Sequence, residues 1–434
     1  MAHYDVGASR RPWWALWAGD SALLLVSQAA TTLIGTALVV VLARTLTRAE
    51  LGAFGALLAI SQALSLAFTL GVGTWLLREF AAAKGDRHGS SRNLIAGANR
   101  LIIPTSATAA AAAPLVALGA GLSVDLAITQ GALIIYVAEL ANAGVYESWL
   151  RAERRVRNVA LATAIEKVIL LAVVVAVAVA GAGVLAVAAA HIAAGFARVV
   201  YSRYSCLKRM QREPTGAIPG RRWIVRQSAP FAVSAVGINL IPRLDVAIVM
   251  AVSAVAASEY VVSERIATLA YLAPTIASRA LYPFLGGRAT AGADRHAVRI
   301  MGVAGLVVSA LGLLLAPMVV PALFGENYDG AVPVVQTMML GVPFAYCTNA
   351  LMAVTYSRGG ESAAARTVVP LSLIGTGVVA IGALSHHAVG AAAGHAVRQV
   401  LVMAGFVTAL RLQGKWVRAS RRGNGAVVPQ AFDE

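Results

Sequence analysis

The sequence predicts an all-α polytopic membrane protein with about 12 transmembrane helices in two six-helix bundles around a central cavity. Hydrophobic residues make up 59% of the 434 positions and charged residues only 13%, which is unlike a soluble globular protein. Uncharged apolar runs such as 51–77 exceed the roughly 20 helical residues that cross a bilayer. The runs are continuous rather than alternating, so they predict helices and exclude a β-barrel.

Each apolar run predicts one membrane-spanning helix, because about 20 residues rising 1.5 Å each cover the hydrocarbon layer. The predicted spans are 20–43, 52–77, 94–118, 126–149, 159–180, 184–203, 228–251, 257–284, 299–323, 331–356, 367–385 and 390–411.

Basic residues are concentrated in every second loop between these spans. The loop 203–226 is the richest in arginine and lysine, whereas the loops on the other side carry few basic residues after Arg44 and Arg48. By the positive-inside rule, both termini are predicted to lie in the cytoplasm and the protein in the cell membrane. The same rule explains the net charge of +16 without a nucleic-acid partner.

The loop 203–226 also divides the chain into halves of six predicted spans each. The predicted domains are a first bundle at 1–210, a second bundle at 211–422 and a disordered tail at 423–434. Segments 41–60 and 249–269 resemble each other weakly, since in both a span ends, a short loop carries a glutamate and the next span begins. This pattern is typical of an internally duplicated transporter.

Motifs of soluble enzymes are absent from the sequence. No glycine-rich phosphate loop ends in Lys-Ser/Thr, no nucleophile stands at a recognisable spacing from a base, and the seven histidines lack metal-ligand spacing. We therefore expect a protein that is not an enzyme and that uses no cofactor and no metal.

Charged residues inside the predicted spans are the candidates for function. An ionised side chain at the bilayer centre costs at least about 2.5–3.5 kcal/mol, so it is kept towards a cavity or a partner. Arg243 and Asp245 follow Asn239 and Pro242, and a proline in a span interior bends the helix. This cluster predicts a cavity wall; an internal ion pair or an arginine reaching to the interface is the alternative.

The other intramembrane charges differ in their expected surroundings. Arg265 is expected on the outer half of the eighth span, either in the cavity or reaching to the interface, with Glu264 pointing about 100° away. Arg198 and Glu139 show no partner in the sequence, and Arg398 shares a helix face with His395. We expect Glu166, Lys167 and Arg44 to serve first as interface anchors.

Six short motifs resemble those of a known family. They are Leu42-Ala43-Arg44-Thr45-Leu46, Glu50-Leu51-Gly52-Ala53-Phe54-Gly55, Leu70-Gly71-Val72-Gly73, Leu77-Arg78-Glu79-Phe80-Ala81, Arg243-Leu244-Asp245 and Leu323-Phe324-Gly325-Glu326-Asn327-Tyr328. This pattern is similar to that of bacterial polysaccharide (O-antigen type) flippases. These belong to the multidrug/oligosaccharidyl-lipid/polysaccharide (MOP) exporter superfamily.

The resemblance implies a function and a cationic cavity. A lipid-linked oligosaccharide on undecaprenyl diphosphate would be moved from the cytoplasmic to the outer leaflet by alternating access, for cell-surface polysaccharide (lipopolysaccharide) synthesis. Its lipid tail would need an opening between the bundles. Membrane lipids, a polysaccharide polymerase and glycosyltransferases are the implied partners. The candidate substrate-binding residues are Arg44, Arg198, Asn239, Arg243, Arg265 and Arg398, and the candidate coupling acids are Glu139 and Asp245.

The alternative is a cation-coupled multidrug exporter of the same superfamily. Such a protein would favour an acidic, aromatic-lined cavity, whereas the candidates here are mostly arginines. A membrane-embedded glycosyltransferase is disfavoured, because no outer loop in the predicted topology exceeds about ten residues.

Overall fold

A computed structural model describes residues 13–69, 71–82, 88–210, 217–235, 241–275, 291–357 and 360–422, and the regular elements in these ranges are helical. The α-helices are α1 (Trp13–Thr45), α2 (Arg48–Thr69), α3 (Val72–Ala82), α4 (His88–Gly119), α5 (Val124–Ala152), α6 (Val156–Val179), α7 (Val184–Leu207), α8 (Arg221–Ala235), α9 (Leu244–Val252), α10 (Ala254–Ala270), α11 (Ala291–Phe324), α12 (Ala331–Met339), α13 (Val342–Ser357) and α14 (Glu361–Arg422). Short 3-10 helices cover Ile241–Arg243 and Glu326–Tyr328.

The chain is a multi-pass membrane protein. Seven helical segments in the described ranges are long and apolar enough to cross a membrane, and α12 with α13, bent by 41°, forms an eighth candidate. One of the seven, Ser362–Leu412, has 51 residues and is too long for a single crossing. The backbone of α14 is non-helical at His386 and His387, between the predicted spans 367–385 and 390–411. The number twelve itself stays a prediction.

Two predicted spans are interrupted rather than continuous. The span predicted at 52–77 consists of α2 and α3, and Gly71 between them has a φ of 71°, a left-handed conformation that commonly follows the end of a helix. In the span predicted at 228–251, the described elements are α8, the 3-10 helix Ile241–Arg243 and α9, and residues 236–240 lie outside the described residues. Both breaks coincide with a residue that disfavours a helix interior, Gly71 in one span and Pro242 in the other.

Helix packing separates the chain into two bundles. In the first half, α5 packs against α3, α4 and α7, while α6 packs against α1 and α7. In the second half, α14 packs against α9, α12 and α13, and α11 packs against α12 and α13. The exact domain boundaries stay predictions, and the tail 423–434 lies outside the described residues.

The two bundles meet where α2 packs on α9 and α10. A Cβ atom at Gly52 would lie 1.9 Å from the carbonyl oxygen of Ala254, so only glycine permits this approach. We call this region, where the α1–α2 and α9–α10 loops lie, the joined end. The segments 41–60 and 249–269, which resemble each other in sequence, therefore face one another there.

Candidate functional site

A cavity of about 550 Å³ lies between the two bundles. Helices α1 and α2 form one wall, and α10 with the start of α9 forms the other. Away from the joined end, the cavity reaches Gln28 on α1, Gln62 on α2 and Thr268 on α10. The α1 residues that line the cavity run from Gln28 to Leu42, so the cavity extends about 21 Å along that helix.

The charges on the cavity wall are predominantly positive. Among the described lining residues, Lys167, Arg243 and Arg265 are basic and Glu264 is the single acid. Lys167 comes from the first bundle and the two arginines from the second. An anion in the cavity would therefore meet positive charge from both halves of the protein.

Arg265 on α10 has no hydrogen-bond partner among the described residues. Its Nε is buried and unsatisfied. A buried donor without a partner costs about 1–3 kcal/mol, and more when it is charged. The neighbouring Glu264 does not neutralise it, since consecutive helical residues point about 100° apart. Arg265 is thus a cavity-lining guanidinium with unused hydrogen-bond donors.

Arg243 contacts the opposite bundle. It ends the 3-10 helix before α9, and its Nη1 donates a hydrogen bond to Oε1 of Gln62 on α2. Asn239, which was grouped with Arg243 from the sequence, lies outside the described residues.

Asp245 does not line the cavity, although the sequence favoured a cavity wall for it. Its carboxylate accepts Nη1 and Nη2 of Arg398, each at 2.5 Å, and the hydroxyl of Tyr260 at 3.0 Å. The side chains of Asp245 and Arg398 are each 2% exposed. The alternative of an internal ion pair therefore describes Asp245, and Arg398 is likewise placed in the second bundle rather than in the cavity.

Arg198 has partners that the sequence did not reveal. Its Nε lies 2.8 Å from Oε1 of Glu147, and its Nη1 lies 2.6 Å from Oε2 of Glu166. Lys167 also contacts Glu166, with 2.7 Å between Nζ and Oε1. Glu166 is fully buried because α6 packs against α7, so it is not an interface anchor as expected. Glu147 was missed because it lies near the end of its span, where a carboxylate needs no special explanation.

Glu139 on α5 lies beside this network without joining it. Its Oε2 is buried and has no hydrogen-bond partner among the described residues. A Cβ atom at Gly195 would lie 2.5 Å from this oxygen, so α7 passes close to the carboxyl group.

Arg44 lies at the joined end and outside the cavity lining. Its Nε and Nη2 donate hydrogen bonds to the carbonyl oxygens of Leu323 and Ala322, at 2.9 and 2.8 Å. These carbonyls belong to the last turn of α11, where unpaired acceptors and the helix dipole favour a cation. Leu323, the first residue of the motif 323–328, thus contacts the first bundle through Arg44.

Within the described ranges, no group of three or more His, Cys, Asp and Glu side chains lies close enough together to hold a metal ion.

Comparison with known proteins identifies the family. The model of the polysaccharide biosynthesis protein family matches residues 18–287, which include both walls of the cavity. The chain belongs to this family. The family predicted from the short motifs is thereby confirmed. No curated protein matches the chain.

Solved structures confirm the helical two-bundle fold. The chain is similar to an inward-facing multidrug resistance MATE family transporter of the MOP superfamily, with a TM-score of 0.71, 18% identity and coverage of 90% of this chain and 96% of that one. It is also similar to lipid II flippase MurJ in an inward closed conformation, with a TM-score of 0.69, 12% identity and coverage of 89% and 87%. The fold is therefore that of MOP superfamily transporters.

Proposed function

We propose that this protein is a flippase that moves a lipid-linked oligosaccharide, carried on undecaprenyl diphosphate, from the cytoplasmic to the outer leaflet for cell-surface polysaccharide synthesis. Glycosyltransferases that build the oligosaccharide and a polymerase that uses it would be its partners. The observation that carries this proposal is the unsatisfied guanidinium of Arg265 in a cavity with an excess of basic side chains.

Phosphate is the ligand that suits this cavity. Guanidinium groups bind phosphate through two parallel hydrogen bonds, and such charge-assisted bonds are roughly twice as strong as neutral ones. Arg243 lies nine residues before the end of α9, and Arg265 lies eleven residues after the start of α10. At 1.5 Å per residue, both lie about 14–17 Å from the joined end. Arginines at similar depth suit the two phosphates of a diphosphate.

The proposed transport cycle is alternating access. In the present conformation the bundles are closed at the joined end, and the cavity extends from there towards the other end. With cytoplasmic termini, the α1–α2 loop lies outside, so the cavity would face the cytoplasm, where the substrate is made. Membrane-impermeant maleimide should then label a cysteine at Asp125 from outside and one at Arg155 only from inside. The reverse labelling would contradict this orientation.

Export of cationic drugs is the rival function, because MATE transporters share the fold. The two functions require opposite charges in the cavity. Removing the acid Glu264 should favour an anionic substrate and disfavour a cationic one, whereas removing Arg265 should do the reverse.

The test uses purified protein in vesicles. The probes are undecaprenyl diphosphate bearing one sugar and a cationic dye. Losing one charge-assisted hydrogen bond of about 1.5–3 kcal/mol should slow movement of the lipid probe about tenfold or more in Arg265→Ala and Arg243→Ala. Arg265→Lys should retain part of the activity, since lysine keeps the charge but not the fork.

The control variant is Arg299→Ala, which removes an exposed arginine of α11 that does not line the cavity. It should move the lipid probe at the wild-type rate. Normal movement in both cavity variants would refute the phosphate-binding role. Transport of the dye that depends on Glu264, without movement of the lipid probe, would establish the drug exporter instead.

A further inference from the structure

A second hollow lies on the outside of the first bundle, between α1 and α6. This groove has a volume of about 220 Å³. Ser27, Ala30 and Ile34 of α1 face Ala160, Leu161 and Ala164 of α6 across it. Ala30, Leu161 and Ala164 are exposed, so the groove is open towards the lipid that surrounds the bundle. Small and aliphatic side chains give it a smooth apolar floor.

The groove has a basic side chain at each end. Arg157 follows the first residue of α6, is exposed and has no partner among the described residues. Lys167 lies ten residues further along α6, about 15 Å away by helix rise. Arg157 therefore lies near the start of the span, at the depth of lipid headgroups, while Lys167 lies well inside the membrane.

The inner end of the groove coincides with the wall of the central cavity. Lys167 and Thr31 line both the groove and the cavity. A molecule in the groove and a molecule in the cavity would thus touch the same two side chains. The two spaces are separated by the seam along which α1 packs against α6.

We propose that this groove is the docking site through which the polyprenyl diphosphate substrate reaches the cavity from the lipid. This inference rests on the proposed flippase function and adds the route of the substrate to it. The isoprenoid chain lies along the alanines, and the diphosphate contacts first Arg157 and then Lys167. A bulk phospholipid fits less well, because its headgroup stays at the interface and has no use for a cation at the depth of Lys167.

Lys167 can exchange its partner at low cost. It holds Glu166 in the present conformation, but Glu166 also accepts the hydroxyl of Tyr136 at 2.8 Å and Nη1 of Arg198 at 2.6 Å. A phosphate that binds the ammonium group of Lys167 in place of Glu166 therefore leaves no unpaired carboxylate behind. This is the property expected of a residue that passes an anion from the groove to the cavity.

Photo-crosslinking tests the docking site independently of transport. The probe is undecaprenyl diphosphate bearing one sugar and a diazirine in the isoprenoid chain, mixed into vesicles that hold the full-length protein. The groove is blocked by Ala164→Trp. The matched control Ala172→Trp places the same side chain on the same helix, at an exposed position outside the groove. Arg157→Gln is paired with Arg155→Gln, an exposed arginine two residues away.

The proposal requires label on α1 and α6 of the wild type, and its loss in Ala164→Trp but not in Ala172→Trp. Arg157→Gln should lower the initial rate of probe movement about fivefold, the effect of roughly 1 kcal/mol for one basic residue near a membrane surface. Arg155→Gln should leave the rate unchanged.

Three results would overturn parts of the scheme, and they are distinguishable. Movement of the probe without label in the groove, or with equal label in both tryptophan variants, refutes the docking site alone. Label that excess phosphatidylglycerol removes identifies a phospholipid site and refutes the substrate as occupant. Label in the groove without any probe movement in the wild type supports the docking site and refutes the flippase function.

Discussion

Asp245 and Arg398 form a two-pronged ion pair that joins α9, near the start of the second half of the chain, to the last described helix, α14. Each terminal nitrogen of Arg398 faces one carboxylate oxygen at 2.5 Å. Tyr260 on α10 donates to the same carboxylate, so three helices of the second bundle meet at this group. The negative charge of Asp245 is therefore paired inside the second bundle and does not face the cavity.

The first prediction follows from this pair. Removing one partner of a buried ion pair costs about 3–5 kcal/mol, because the other charge is left uncompensated. Asp245→Asn and Arg398→Met should each lower the free energy of unfolding by that amount in detergent micelles. The double variant should recover most of the loss. A stable Asp245→Asn protein that no longer transports would instead support a coupling role for Asp245.

The second prediction separates two glutamates of the first bundle, the buried Glu166 and the partly buried Glu139. Glu166 accepts hydrogen bonds from Tyr136, Lys167 and Arg198, so Glu166→Gln should be strongly destabilising. Glu139→Gln should leave stability nearly unchanged, since its Oε2 has no partner to lose. If Glu139 is the coupling acid, this variant should fold normally yet show probe movement that no longer responds to a pH gradient. An unaltered response would remove that role.

The sequence predicted the helical, membrane-spanning fold but could not predict which charges pair. Residues two apart on a helix point to different faces, and Arg243 and Asp245 do so. Which of them faces the cavity depends on the packing of α9 against α14, and the partner Arg398 is 153 residues away in the chain. Arg198 shows the same limit, because Glu147 and Glu166 come from two other helices. The breaks at Gly71 and Pro242, in contrast, have local causes that the sequence displays.

The third prediction concerns the close approach at Gly52. A methyl group there would meet the backbone of Ala254, so Gly52→Ala must push α2 away from α10, at a cost of about 1–3 kcal/mol. The joined end should then open more often.

A cysteine at the cavity residue Thr36, in a protein whose native cysteines are replaced by alanine, should react faster with impermeant maleimide added at the joined-end side. Gly35→Ala is the control, because Gly35 also borders the cavity and a Cβ there would have no atom within 4 Å. Equal labelling rates in the two variants would contradict the packing argument.

The last prediction concerns the charges that hold the joined end together. Arg48 on α2 forms an ion pair with Glu259 on α10, and its guanidinium lies 5.8 Å from the ring centroid of Tyr328. Glu50 lies in the same turn as Arg48, but among the described residues its hydrogen bonds stay within its own hairpin, where it accepts the backbone N–H of Thr47 at 2.9 Å.

Glu50 and Glu259 correspond to each other in the similar segments 41–60 and 249–269. Substituting each of them therefore gives a matched comparison. A partly exposed ion pair contributes up to about 1 kcal/mol. Glu259→Gln should therefore raise the labelling rate of the Thr36 cysteine from the joined-end side by up to about fivefold. Glu50→Gln should not, because glutamine still caps the helix and no contact between the bundles is lost. High salt should reproduce the effect of Glu259→Gln in the wild type and add little to the variant. Should both variants label alike, the closure of this end rests on packing at Gly52 and not on the Arg48–Glu259 pair.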